Sequence, residues 1–250
     1  DASGCLCISS YAFLGSLANN NFPFGYGSLC LNTTGAYNIA IGTCTARGNT
    51  TGVYNINFGA FASNMNSTGG YNTGLGSYSL YYSGNNCNTG LGYKSLYCTL
   101  GYGNIGIGVC AGSCTCGGNY NTIIGTNLTG TQAMSCTLLL GAGGGERIRS
   151  DASGCICISS YAFLGSLANN NFPIGYGSLC NNTTGTCNIG IGYYSLRANT
   201  TGTRNIAIGY NAGCGNTGGT DNNAFGVGSL QINSTGNFRS EEHTSELQSH

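Results

Sequence analysis

The sequence predicts an all-β chain, a parallel β-solenoid built from 16–17-residue repeats. Three observations carry that prediction. The composition is half small and polar, one Gly column recurs at near-constant spacing, and a fixed turn separates the copies. Gly is 45 of 250 residues, Asn 32, Thr 26 and Ser 25, while charged residues are only 6%. A globular domain carries about a quarter charged residues and roughly 7% Gly, so the chain is not an ordinary one. Disordered chains are rich in Pro, Glu and Lys, and collagen needs Gly at every third position. Neither pattern is present. No run of about 18 apolar residues exists, so no membrane-spanning helix is expected.

Residues 239–250 differ from all that precedes them. They read Arg-Ser-Glu-Glu-His-Thr-Ser-Glu-Leu-Gln-Ser-His and hold both His residues of the chain. The stretch resembles a translated sequencing adapter and is set apart from the fold as an expected artefact. Without it the chain has six basic and four acidic residues, a net charge of +2. The chain also starts at Asp1 without Met, so it is expected to be a fragment at both ends.

The repeat aligns on Gly25, Gly42, Gly59, Gly76, Gly92, Gly108, Gly125, Gly141, Gly175, Gly192, Gly209 and Gly226, with Ser9 and Ser159 in the same column. These are fourteen copies, stepping by 16 or 17 residues apart from one step of 18. The residue just before the column is always apolar, as at Ile41, Phe58, Ile107, Ile191 and Ile208. Four before it lies Asn in eleven copies, among them Asn38, Asn55, Asn72, Asn188 and Asn205. Four after it is often Leu, as at Leu29, Leu80, Leu96, Leu179, Leu196 and Leu230.

Each part of the unit has a physical reading. Asn38-Ile39-Ala40-Ile41-Gly42 alternates apolar and small residues, a strand period. Asn32-Thr33-Thr34-Gly35 is a turn, with Gly supplying positive φ and Asn bonding its own backbone. A helix is disfavoured, because Gly costs about 1 kcal/mol against Ala at each helical position. Sixteen residues cannot bury a core alone, but stacked copies can. The residue before the Gly is expected to stack into a continuous buried apolar column. In-register Asn is expected to form a side-chain amide ladder. Gly42, Gly59, Gly192 and Gly209 are expected to let successive backbones approach closely.

A longer repeat is superimposed: residues 1–35 and 151–185 are identical at 32 of 35 positions. Residues 1–141 form a first array and 155–238 a second. The junction 142–154 concentrates charge in Glu146, Arg147, Arg149 and Asp151, and reads as a solvated loop, with a binding site as the alternative.

The motif Asn188-Ile189-Gly190-Ile191-Gly192-Tyr193-Tyr194-Ser195-Leu196 and its echo Asn205 to Tyr210 resemble repeats of long surface fibres. These are phage and virus tail fibres and heads of trimeric autotransporter adhesins. The stretch from Asn127 to Arg149 resembles the segment that closes such arrays. The likeness spans about residues 1–238, and the adhesin repeat is nearer 14 residues, which leaves the cross-section open. It implies a left-handed, trimeric β-roll or β-solenoid that serves as stalk or head. Self-association as a homotrimer, a host glycan or protein receptor, and an extracellular, cell-surface or virion location follow from the resemblance.

Other candidate sites are weaker. The fifteen Cys leave at least one unpaired, and Cys98 and Cys114 fall in one column a coil apart, within disulfide range. No metal site is expected without CxxC pairs or credible His, and no cofactor is expected. Asn32, Asn49, Asn66, Asn127, Asn182 and Asn199 head glycosylation triplets that follow from the turn motif. Tyr26, Tyr93, Tyr176, Tyr193 and Tyr210 share a column, read as packing between coils or as a carbohydrate-stacking strip. Four scattered acids and no credible His argue against acid–base catalysis, so no enzyme is expected. The charge gives no basis for nucleic-acid binding. The alternative to a fibre segment is a ligand-binding solenoid, ice-binding or carbohydrate-binding. Thr in turns, not alternating along a strand, weighs against ice.

Overall fold

A computed structural model describes residues 8, 19–115, 117–130, 134–142, 145–150, 152, 155–158 and 169–242. Among these residues there are strands and turns and no helix. The chain divides into two compact units, Asp1–Gly145 and Glu146–His250. The dividing point falls within the charged junction. Ser9 and Ser159 lie outside the described residues.

The first unit holds β1 (Phe22–Phe24), β2 (Ile39–Ile41), β3 (Ile56–Phe58), β4 (Thr73–Leu75), β5 (Tyr82–Ser83), β6 (Thr89–Leu91), β7 (Cys98–Thr99), β8 (Ile105–Ile107), β9 (Thr122–Ile124) and β10 (Leu138–Ala142). All but β5 and β7 form one sheet in chain order. Its strands are parallel and pair one repeat apart, Ile39 with Ile56 and Ile41 with Phe58. β5 and β7 make a second, two-stranded parallel sheet. One short strand per repeat, stacked in parallel register, is a β-solenoid.

The second unit holds β11 (Gly145–Ser150), β12 (Ile156–Ile158), β13 (Phe172–Ile174), β14 (Ile189–Ile191), β15 (Ile206–Ile208), β16 (Asn223–Phe225) and β17 (Ser240–Glu242). From β12 to β17 the pairing is parallel, again one repeat apart. The junction departs from the loop expected there: β11 is a six-residue strand that runs antiparallel to β12, pairing Ile148 with Ile158. Residues 240–242 of the adapter-like stretch pair with β16. Backbone groups carry that pairing, and an open strand edge accepts any sequence without proline.

Each coil turns because its backbone crosses into positive φ at fixed columns. In the coil around β2 these are Tyr37 (59°), Gly42 (129°), Cys44 (53°) and Ala46 (48°). The bends end most strands of the main sheet after three residues, yet bonds between coils continue around the loop. Cys44 donates to the Tyr26 carbonyl at 2.8 Å, Ala46 to Ala62 at 2.8 Å and Thr50 to Ser67 at 2.8 Å.

The core is not where the alternation suggested. The residue before the Gly column points outward, as does the residue two positions earlier: Ile107 is 36% exposed and Phe58 39%. The central strand residue points inward and is mostly small: Ala40, Gly74, Gly90, Gly106, Gly190 and Ala207. The interior is filled from the far wall by the Leu four after the Gly, with Leu29, Leu80, Leu96 and Leu179 fully buried. The two walls exchange volume. A Cβ on Gly106 would meet Leu96 Cγ at 2.7 Å, and a Cβ on Gly112 would meet Ile123 Cδ1 at 3.0 Å. At Ile123, where the strand centre is large, the facing wall is Gly112. Close-packed interiors require that compensation.

Candidate functional site

The Asn column forms a continuous amide ladder. Asn55 donates its backbone N–H and its Nδ2 to Asn38 Oδ1, both at 3.0 Å, and Nδ2 also to the Gly69 carbonyl at 2.9 Å. Asn72 then donates its N–H to Asn55 Oδ1 at 3.0 Å. Asn38 stands on Asn21, Asn188 on Asn171, and Asn205 on Asn188 in the same way. Each amide ties the turn of its neighbour to the strand entry of the next coil, inside a core where unpaired polar groups are costly.

A second ladder arises from the Asn of the Asn-Thr-Thr-Gly turn. Asn49 Nδ2 donates to Asn32 Oδ1 at 3.0 Å and to the Gly52 carbonyl at 3.1 Å; Asn199 repeats this on Asn182 and Gly202. The turn motif alone suggested a local Asx bond. The 17-residue spacing of this Asn was the signal for a ladder. The glycosylation reading fails at five of the six triplets: Asn32, Asn49, Asn66, Asn182 and Asn199 are at most 1% exposed. Asn127 alone of the six is exposed.

The Gly column carries both a positive φ and a close approach. Gly42 and Gly59 sit at φ 129° and 123°, and a Cβ on Gly59 would lie 2.7 Å from the Gly76 carbonyl carbon. Gly192 and Gly209 repeat the geometry at φ 130° and 137°.

Outside the sheet the residues one and three before the Gly form two parallel rows, the first apolar throughout and the second apolar except at Thr73, Thr89, Thr122 and Asn223. In the first unit these include Ile39, Ile41, Ile56, Phe58, Leu75, Ile105, Ile107 and Ile124; in the second, Ile156, Ile158, Ile191, Ile208 and Phe225. Register places each side chain on the equivalent one of the next coil. No charged side chain interrupts the rows between β1 and β10.

Tyrosines line the flanks. Tyr176, Tyr193 and Tyr210 stack at 5.4 Å per step. Packing between coils therefore accounts for these three members of the column, whose mutual stacking covers ring faces that a sugar would need. A second stack, Tyr37–Tyr54–Tyr71, occupies a column that the sequence reading did not single out. All three take αL backbone, φ 56–59°, a region costing a bulky residue about 1–2 kcal/mol. Stacking offsets about 0.5–1.5 kcal/mol per pair. In the same column of the second unit Arg204 makes a bidentate pair with Asp221, both contacts at 2.7 Å. The hydrogen bonds from Arg204 hold the Asp221 carboxyl below its usual range.

Several cysteines occupy tolerant outward columns, Cys44 and Cys110 two after the Gly and Cys87, Cys136 and Cys187 five before it, whereas Cys155 and Cys157 are buried in the core. Cys98 is disulfide-bonded, but Cys114 is a free thiol, so the pair suggested by column spacing does not form. Side chains stacked in parallel point the same way and do not converge. Among the described residues no three His, Cys, Asp or Glu gather as a metal site. A groove of about 680 Å³ lies between Leu230–Asn233 and Arg239–Glu241, so its wall depends on the adapter-like stretch. Compared with protein-family models, curated proteins and solved structures, the chain gives no match.

Proposed function

We propose that the chain is a non-catalytic segment of a surface fibre, a stalk or head whose copies associate through the outward apolar rows. The observation that carries this reading is the rows themselves. Eight parallel strands at about 4.8 Å span roughly 35 Å, and two columns with their side chains are roughly 12 Å across. That is about 400 Å² on the first unit alone, with Thr at three of its sixteen positions, the size of the largest patch on a typical monomer, which is often functional. A stoichiometry of three, an extracellular setting on a cell or virion, and a host glycan or protein receptor come from the resemblance of the repeat to fibre proteins.

Light scattering on the intact protein tests this reading. A mass of three chains, unchanged on dilution and accompanied by β-type circular dichroism, is the expected result. A well-folded monomer contradicts it.

One observation favours a second reading, a solenoid of ice-binding type. The turn threonines stack into exposed rows, Thr33 over Thr50 and Thr183 over Thr200 over Thr217. Their hydroxyls, however, donate to the carbonyl of the next coil at 2.9–3.0 Å, and Gly218 breaks the adjacent row. A thermal-hysteresis assay is expected to show no activity.

A further inference from the structure

The tyrosine stacks are unused by the fibre reading and stand independently of it. Tyr37 and Tyr54 lie 4.9 Å apart between ring centroids with planes within 3°, and Tyr54 and Tyr71 5.1 Å apart within 16°. Tyr176, Tyr193 and Tyr210 repeat the arrangement at 5.4 Å, within 16° and 6°. All six rings are exposed. The column of the first stack demands positive φ, which Asn20 and Gly103 supply elsewhere at lower cost. Three successive tyrosines there oppose backbone preference, so the phenols are held in line by the coil and by each other.

We propose that Tyr37–Tyr54–Tyr71 and Tyr176–Tyr193–Tyr210 are sites of oxidative dityrosine cross-linking, which staples successive coils of the solenoid. The co-reactant is a one-electron oxidant, such as a peroxide-driven haem peroxidase. Each of two facing phenols gives up its O–H hydrogen as an electron and a proton. The two phenoxyl radicals join through ring carbons ortho to oxygen. The two displaced ring hydrogens then move to the oxygens and restore both phenols. Two hydrogens leave in all, and one peroxide is reduced to two waters. Exposure admits the oxidant. Stacking holds the rings of neighbouring coils 4.9–5.4 Å apart between centroids before any radical forms, which makes coupling within the chain faster than coupling between chains.

Thiols quench phenoxyl radicals, and Cys87 and Cys187 are exposed in the column of the first stack, so the full chain is alkylated before oxidation. It is then treated with haem peroxidase and hydrogen peroxide, digested and read by mass spectrometry. Expected are peptides containing Tyr54 joined to those containing Tyr37 or Tyr71, lighter by two hydrogens per link, in a yield unaffected by dilution. In Tyr54→Phe, which keeps the ring and the stack, links at Tyr37 and Tyr71 are lost while the Tyr176–Tyr193–Tyr210 links remain. The proposal is overturned if no link forms, if yield falls on dilution, if the urea-unfolded chain couples equally well, or if Tyr37 and Tyr71 still cross-link at full yield in Tyr54→Phe.

Discussion

At the scale of single residues, the glycines of the Gly column from Gly25 to Gly209 leave no room for a side chain. Gly42→Ala adds a Cβ 2.9 Å from the Gly59 carbonyl carbon and oxygen while holding φ at 129°. We expect a loss of about 2–4 kcal/mol in denaturant unfolding. Gly84→Ala is the control: nothing lies within 4 Å of its added Cβ, and the change is expected to be neutral or stabilising by under about 1 kcal/mol. Asn55→Ala strands the buried Asn72 N–H and leaves the Gly69 carbonyl with Asn66 Nδ2 as its remaining side-chain donor, at an expected cost of about 1–3 kcal/mol. Asn55→Asp turns carbonyl oxygens toward a carboxyl that has no donor to spare. Its carboxylate form is disfavoured by burial, so its folded pKa rises above the unfolded value. Stability of that variant is then greatest below the unfolded carboxylate pKa and falls as pH rises through the folded one, which thermal melts against pH read directly. Asp221 has the opposite sign. Its lowered pKa makes the Arg204 contact a contribution present above the unfolded carboxylate pKa and lost as pH falls through the folded one. Carboxyl NMR is expected to show Asp221 titrating at higher pH in Arg204→Gln.

At the scale of the element, one coil is a three-residue strand, a sharp exit at Gly, an inward Leu and a stacked turn. The fully buried Leu80 supplies most of the apolar volume of its coil, against Gly90. Leu80→Ala is expected to cost about 2–5 kcal/mol, whereas Phe58→Ser on the outward row is expected to cost under about 1 kcal/mol in the folded single chain. A reading that buries the residue before the Gly expects the reverse, and denaturant melts separate the two. The contrast marks what was legible in the sequence. The period of two, the Gly column and the Asn ladder can be read from spacing alone. Which side of the strand faces inward cannot, because Ile39-Ala40-Ile41 alternates identically in either orientation. The decisive clue was the smallness of the central residue: a thin coil with Leu entering from the far wall has room only for Ala, Gly or Pro there. The second Asn ladder was hidden inside a motif already explained as a turn. The strand at Gly145–Ser150 was hidden by its charges: Glu146 and Arg147 point to opposite faces of the strand and are both exposed, so no apolar alternation marks it.

At the scale of the whole molecule, labour is divided around the coil. Asn, Ser and Leu hold each coil to the next from within, and the Ile and Phe rows are left to be covered from outside. Association through those rows is read by sedimentation equilibrium of the intact chain beside Phe58→Ser/Ile107→Ser/Ile191→Ser/Ile208→Ser. Three chains per particle are expected for the wild type, and single chains with unchanged β-type circular dichroism for the variant. A wild type that sediments as a folded monomer, or a variant that keeps the wild-type mass, contradicts that association.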